Sequence, residues 1–294
     1  MRPTSKTLPA LSIEAFPPKT ETGMAALNRA LDELSVLPLD FISVTYGAGG
    51  STRDRTLQVL SEASERHDAP LAGHLTCVEA PRADVDAVAR AYKAAGVDHV
   101  VALRGDPSAG VGERYVPTAE GYEQTADLVR GLKQLGIRRV SVSAYPEKHP
   151  ESSSLDEDMD ILAAKVDAGA DEAITQYFFD TACFLRYRDR AAARGIAVPI
   201  VAGIMPINDF RKVQRFSRQC HTEVPASLAA RFAGFEGGSA QHHAISRDIL
   251  RGQIEGLLSE GVETLHLYAL NKSDLILDVA RDLGWIAEPS IEAA

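Results

Sequence analysis

Eight times along the 294-residue chain a short apolar or β-branched run gives way to a turn, then to a longer segment with helical spacing. The runs are Leu11–Phe16, Phe41–Gly47, Ala72–Val78, His99–Asp106, Arg139–Pro146, Glu172–Phe179, Pro199–Ile207 and Thr264–Asn271. Their starts lie 30, 31, 27, 40, 33, 27 and 65 residues apart. A strand with its crossover helix takes about 30 residues. The last interval therefore has room for an additional helical segment.

The intervening stretches carry helix signals. Val85, Val88 and Tyr92 share a face before Gly96, and Leu128, Leu132 and Leu135 share one before Gly136. Glycine after the last periodic residue ends a helix, because it takes left-handed backbone without a Cβ clash. Eight such units point to an α/β chain folded as a (β/α)8 TIM barrel, a single domain over residues 1–294 with an extra helical segment before the eighth strand. A doubly wound open sheet is the rival, but it would want a GxGxxG turn and none occurs.

Strand parity orients the barrel. Side chains alternate faces along a strand. One parity is apolar (Leu11/Ile13/Ala15, Ile42/Val44, Val101/Leu103, Leu265/Leu267) and predicts burial under the helices. The other is small or polar (Ser12/Glu14, Ser43/Thr45, His74/Thr76, Ala102/Arg104/Asp106, Ser141/Ser143/Tyr145, His266/Tyr268) and predicts an interior that converges on the C-terminal mouth. Barrel enzymes keep their active sites there.

Charge narrows the function. Lys plus Arg is 31 and Asp plus Glu is 41, for a net charge of −10. With no basic stripe, neither nucleic acid nor an anionic membrane is an expected partner. No apolar run reaches the ~18 residues of a membrane span, and no signal-peptide stretch follows Met1. Three separated cysteines without a CxxC pair fit a reducing, cytoplasmic setting. The histidines show no HExxH spacing, so no metal is expected.

Several mouth residues could carry chemistry. Glu14 ends its strand on the inner face. A carboxyl group in a half-apolar mouth can hold a proton and donate it near neutrality, although the position also suits a Glu paired with a barrel cation. Arg104, Gly105 and Asp106 end the fourth strand, either as a ligand corner or as an ion pair closing the barrel. The glycine-rich turn Thr45–Ser51 could hold an anion at the following helix start or be a simple tight turn. Tyr145–Glu151, with an aromatic, a His and two prolines, suits stacking against a flat ligand or a plain surface loop. Gln176 offers donor and acceptor together, as an amide-bearing heterocycle requires.

Taken together, the blocks Ile13-Glu14-Ala15-Phe16-Pro17-Pro18, Val44-Thr45-Tyr46-Gly47-Ala48, His74-Leu75-Thr76-Cys77, Leu103-Arg104-Gly105-Asp106, Ala144–Glu151, Thr175-Gln176-Tyr177-Phe178-Phe179-Asp180, Gly203-Ile204-Met205-Pro206 and Leu270-Asn271 resemble one family. It is that of the bacterial flavin-dependent 5,10-methylenetetrahydrofolate reductases, and the similarity runs from about Ser12 to Leu283. The resemblance implies an FAD-bearing barrel that takes hydride from NADH or NADPH in a ping-pong relay and passes it to methylenetetrahydrofolate. It implies Glu14 as general acid and Asp106 as the carboxylate between flavin and pterin. Thr45, Tyr46, Ala48, His74, Arg104, Gly105, Asp106, Tyr122, Tyr145 and His149 match flavin contacts. Asp158 and Lys165 match contacts to the adenosine and diphosphate half. Gln176, Lys212 and Lys272 match substrate positions, with Lys212 where relatives carry Gln and Lys272 where they carry Arg.

Ile161 and Ala164 stand where better-known members carry polar or basic cofactor contacts, which implies looser FAD retention. The resemblance also implies self-association into a homo-oligomer. Two other readings remain: a barrel flavoprotein dehydrogenase of the proline or amine type, and a non-catalytic folate- or flavin-binding protein.

Overall fold

The structure is a computed structural model, and it describes residues 8–46, 53–107 and 116–287. In chain order the elements are β1 (Ala10–Ala15), α1 (Glu21–Leu34), β2 (Leu39–Val44), α2 (Arg53–Arg66), β3 (Leu71–Thr76), α3 (Arg82–Ala94), β4 (His99–Leu103), α4 (Thr125–Gln134), β5 (Arg139–Ala144), α5 (Leu155–Asp167), β6 (Glu172–Thr175), α6 (Thr181–Ala193), β7 (Ile200–Ile204), α7 (Phe210–Cys220), α8 (Ala226–Arg231), α9 (Ala240–Ser259), β8 (Thr264–Leu267) and α10 (Asp274–Asp282). The eight strands are parallel and form a closed barrel in sequence order, β1 pairing with both β2 and β8. All eight expected strands are present. The long seventh interval holds α7, α8 and α9. Among the described residues no helix is long and apolar enough to cross a membrane.

Local chemistry starts the helices. Thr20, Ser154, Asp180, Asp209 and Ser239 each accept a backbone N–H of the turn they precede, which satisfies donors the helix leaves open. The main core lies between strands and helices and includes Leu11, Ile13, Val44, Leu128, Leu265 and Leu267, all buried. Removing such surface from water is the chief stabilising term.

One parity expectation is corrected. Val101 packs inside the barrel with Phe41, Ala72, Ile174 and Val201, and Leu103 packs against that cluster. Ala102 joins the outer core instead. β4 is apolar on both faces, so its own alternation carries no phase. The pairing of His74 with Val101 sets it.

The N-terminal end of the barrel is closed by a polar plug. Arg139 donates to Asp40 at 2.7 Å and to Glu172 at 2.8 Å, and its guanidinium lies 4.9 Å from the centre of the Phe41 ring. His99 Nε2 lies 2.6 Å from the Ser141 hydroxyl, and that hydroxyl donates to Glu172. Burial alone would raise the Glu172 carboxyl, but bonds from His99, Arg139 and Ser141 outweigh it and hold it at about 2.

Candidate functional site

The opposite, C-terminal end is open. Glu14 sits one residue from the end of β1, half-buried. Its Oε2 lies 3.5 Å from His74 Nε2 on β3 and 3.9 Å from His266 Nε2 on β8. His266 is held from behind by Ser12, whose hydroxyl lies 2.7 Å from Nδ1. His74 Nε2 is buried and makes no hydrogen bond. Burial lowers the His74 imidazole to about 4, with Glu14 opposing and His266 and His99 adding to the shift. At neutral pH the ring beside Glu14 is therefore uncharged.

Beyond β4 the chain turns at Gly105, whose φ is +85°. A Cβ there would meet Val78 Cγ1 at 2.5 Å and Thr76 Cβ at 2.8 Å, so both the backbone and the packing demand glycine. The turn throws Arg104 across to the loop after β5. It grips Glu151 in a fork, Nη1 to Oε2 at 2.8 Å and Nη2 to Oε1. The ion pair that one reading gave to Arg104 and Asp106 is made by Arg104 with Glu151 instead, and Asp106 is exposed beside it. Glu151 was not singled out by sequence reasoning, although it ends the Tyr145–Glu151 loop that was.

A cleft of about 330 Å³ opens here. Arg104, Gly105, Asp106, Tyr145, His149, Asp158 and Lys165 all line it, together with Ser143, Glu151, Ser152 and Ile161. Tyr145 and His149 meet edge to face, 4.7 Å between centroids. Burial, reinforced by Arg104, lowers the His149 imidazole to about 4. On α5, Lys165 is buried and donates to the Ser143 carbonyl at 2.9 Å. Burial lowers its ammonium to about 8, partly offset by Asp158. Asp158 accepts the Ser152 hydroxyl on Oδ1 at 2.9 Å, while its buried Oδ2 takes no hydrogen bond.

A buried cation and an unused acceptor two turns apart on one face of α5 are costly unless a ligand completes them. They suit a group that pairs anionic oxygens with hydroxyls. The diphosphate and ribose half of FAD has that chemistry, so these residues fit the cofactor that the resemblance implies.

The other expected residues fall as follows. Thr45 and Tyr46 follow β2 at the mouth, half-buried. Thr45 N–H donates to the Ala15 carbonyl at 2.9 Å. Ala48 lies outside the described residues. Gln176 follows β6, and its Oε1 accepts the Tyr177 N–H at 3.0 Å. Lys212 is exposed in the first turn of α7, 3.5 Å from Asp209. Lys272 lines a second cleft of about 690 Å³ between α1, α9 and α10, with Arg29, Glu33 and His243.

Tyr122 is apart from both clefts. It is 2% exposed, in the outer core, with its hydroxyl donating to Asp86 at 2.7 Å and Arg82 4.4 Å from its ring centre. Two further aromatics stand at the mouth. Tyr268 donates to the Thr175 carbonyl at 2.7 Å and closes over Gly203, where a Cβ would fall 2.1 Å from that same carbonyl oxygen. Phe216 is 44% exposed and stacks on Tyr177, 5.9 Å between centroids. Its spacing of four from Lys212 on one helix face was the available sequence signal.

Comparisons with known proteins show the family. Residues 2–284 match the family described as Methylenetetrahydrofolate reductase. The 5,10-methylenetetrahydrofolate reductase of Salmonella typhimurium is 38% identical over 276 residues, covering 93% of this chain and 90% of that protein. The enzyme of the same name from Pectobacterium carotovorum is 39% identical over the same span and shares. Among solved structures, an uncharacterized protein from Clostridium thermocellum that binds two copies of 5-methyl-5,6,7,8-tetrahydrofolic acid aligns with a TM-score of 0.66 at 15% identity. That alignment covers 95% of this chain and 96% of the other, and it bears on the fold alone.

Proposed function

Because the chain belongs to the methylenetetrahydrofolate reductase family, we propose that it reduces 5,10-methylenetetrahydrofolate to 5-methyltetrahydrofolate at the barrel mouth, with FAD as the bound cofactor and NADH or NADPH as hydride donor. What carries this reading is one juxtaposition. Glu14, flanked by two imidazoles, shares the C-terminal end of the barrel with the Arg104–Asp106 turn and the Lys165 cleft.

Lys165 and Asp158 would hold the diphosphate and ribose half. Arg104, Gly105, Asp106, Tyr145, His149, His74, Thr45 and Tyr46 would surround the ring half. When bound, the flavin supplies two-electron chemistry that no side chain offers. The chain's own residues do the rest. Glu14 donates a proton to the folate nitrogen that departs as the five-membered ring opens, which makes that nitrogen a competent leaving group. Asp106 is exposed at the mouth, where a carboxylate favours the cationic iminium left on the folate. Gln176 binds the pterin or nicotinamide amide edge. Phe216 offers a stacking face to a flat ring. Lys212 and Lys272 would attract the anionic glutamate tail, Lys272 as a point charge without the bidentate fork of Arg.

The test separates the two halves of the reaction. Glu14→Gln keeps the shape and removes the proton. NAD(P)H oxidation with a quinone acceptor is expected to stay within about twofold of wild type, and folate reduction to fall by about 100-fold or more. Folate turnover near the wild-type rate removes Glu14 from this role.

A further inference from the structure

The loop joining β8 to α10 holds an uncommon backbone. Leu270 and Asn271 are both left-handed, with φ of +52° and +56°. Asn tolerates that region better than most residues, whereas Leu does not, so the pair persists only if the surroundings enforce it. The conformation brings the Asn271 amide against the backbone of Phe16. Phe16 N–H donates to Oδ1 at 3.0 Å, and Nδ2 donates to the Phe16 carbonyl at 2.9 Å. One side chain thus satisfies both backbone groups of a residue 255 positions away.

The location gives the clamp its meaning. The β1–β8 ladder runs from Ala10–Thr264 to Ile13–Leu267 and stops. Glu14 comes immediately after the last pair, and Phe16 two residues later. On the β2 side the strand stays supported, through Thr45 N–H to the Ala15 carbonyl at 2.9 Å. On the β8 side the Asn271 amide supplies the hydrogen bonds that the ladder no longer makes. Glu14 is bracketed between the last ladder pair and the clamp, with its carboxyl 3.5 Å from His74 and 3.9 Å from His266.

We propose that Asn271 is a positioning residue for Glu14: its two-point bond to Phe16 fixes the end of β1 across the barrel seam and so sets where the proton is delivered. This rests on the reading of Glu14 as proton donor. Small displacements of a catalytic group matter, since a misplacement of about 1 Å can cost on the order of 100-fold in rate.

Asn271→Gly is the incisive variant, because glycine keeps the left-handed backbone while deleting both bonds. Asn271→Asp keeps the acceptor for Phe16 N–H and loses the donor. In the FAD-loaded enzyme, Asn271→Gly is expected to lower kcat for methylenetetrahydrofolate reduction about tenfold or more, with folate KM and quinone-coupled NAD(P)H oxidation within about twofold. The pH profile of the folate step should move, and Asn271→Asp should recover part of the rate. Wild-type folate reduction in Asn271→Gly overturns the proposal. So does an equal fall in both reactions, which marks a purely structural staple. Glu14→Gln run alongside separates the causes: if it still reduces folate, the proton-donor reading fails and takes this one with it. If it does not, while Asn271→Gly does at full rate, only the positioning role is lost.

Discussion

A neutral imidazole 3.5 Å from a carboxyl group makes the mouth acid-sensitive. His74 gains its proton near pH 6.5 when unfolded but only near 4 when folded, chiefly because burial disfavours the cation. Between those values the unfolded chain binds more protons, so stability is full above about 6.5 and drains as pH falls towards 4. The shift corresponds to a loss on the order of 3 kcal/mol. His149 titrates in the same sense, from the same cause. Glu172, held at about 2 in the barrel floor, adds a second loss below its ordinary value of 4.5. His74→Phe removes one titrating group, and urea midpoints at pH 7 and pH 4.5 should then differ less than in wild type. An unchanged difference would show that the His74 ring does not set the acid limb.

At the scale of the element, the proposed reading gives α5 the hold on the cofactor. Lys165 and Asp158 face the cleft, but Ile161 is 43% exposed on its rim and Ala164 is exposed on the next turn. Ile161→Asn with Ala164→Arg should increase the fraction of FAD that stays with the protein through gel filtration; no change would clear these positions of a part in retention. Lys165→Met removes a buried cation. The melting temperature without FAD should stay or rise, because a desolvated charge is gone, while the rise on adding FAD should shrink. A full FAD-induced rise in this variant would place the diphosphate elsewhere.

The elements also show what was readable in the chain. All eight strands were legible, because each couples a short apolar run to a longer segment with helical spacing. Their C-terminal ends were not. The run after Glu172 continues to Phe179, yet β6 ends at Thr175, because Tyr177 turns to pack with Met205 and Ile207 beyond β7, and Phe178 into the outer core against Phe184 of α6. β4 gave no phase, being apolar on both faces. The Arg104 partner was hidden as well: 47 residues separate it from Glu151, and the pairing of β4 with β5 brings the two strand ends together.

For the whole molecule, barrel closure divides labour between two ends. The Arg139–Asp40–Glu172–His99 plug is structure at the floor, with Glu172 and His99 buried and Arg139 and Asp40 half-buried. His74, His149, Asp158 and Lys165, each moved from its ordinary titration chiefly by burial, lie at the mouth. Closure also makes β8 the neighbour of β1, which is what lets Asn271 reach Phe16 and the floor stay out of the chemistry. The most direct measurement is anaerobic: the purified protein with FAD, titrated first with NADH or NADPH, then with methylenetetrahydrofolate, while the visible flavin absorption is followed. Bleaching by the nucleotide and recovery on adding the folate, with 5-methyltetrahydrofolate formed in proportion, is the expected result. Flavin that never binds, or reduced flavin that methylenetetrahydrofolate leaves bleached, would contradict it.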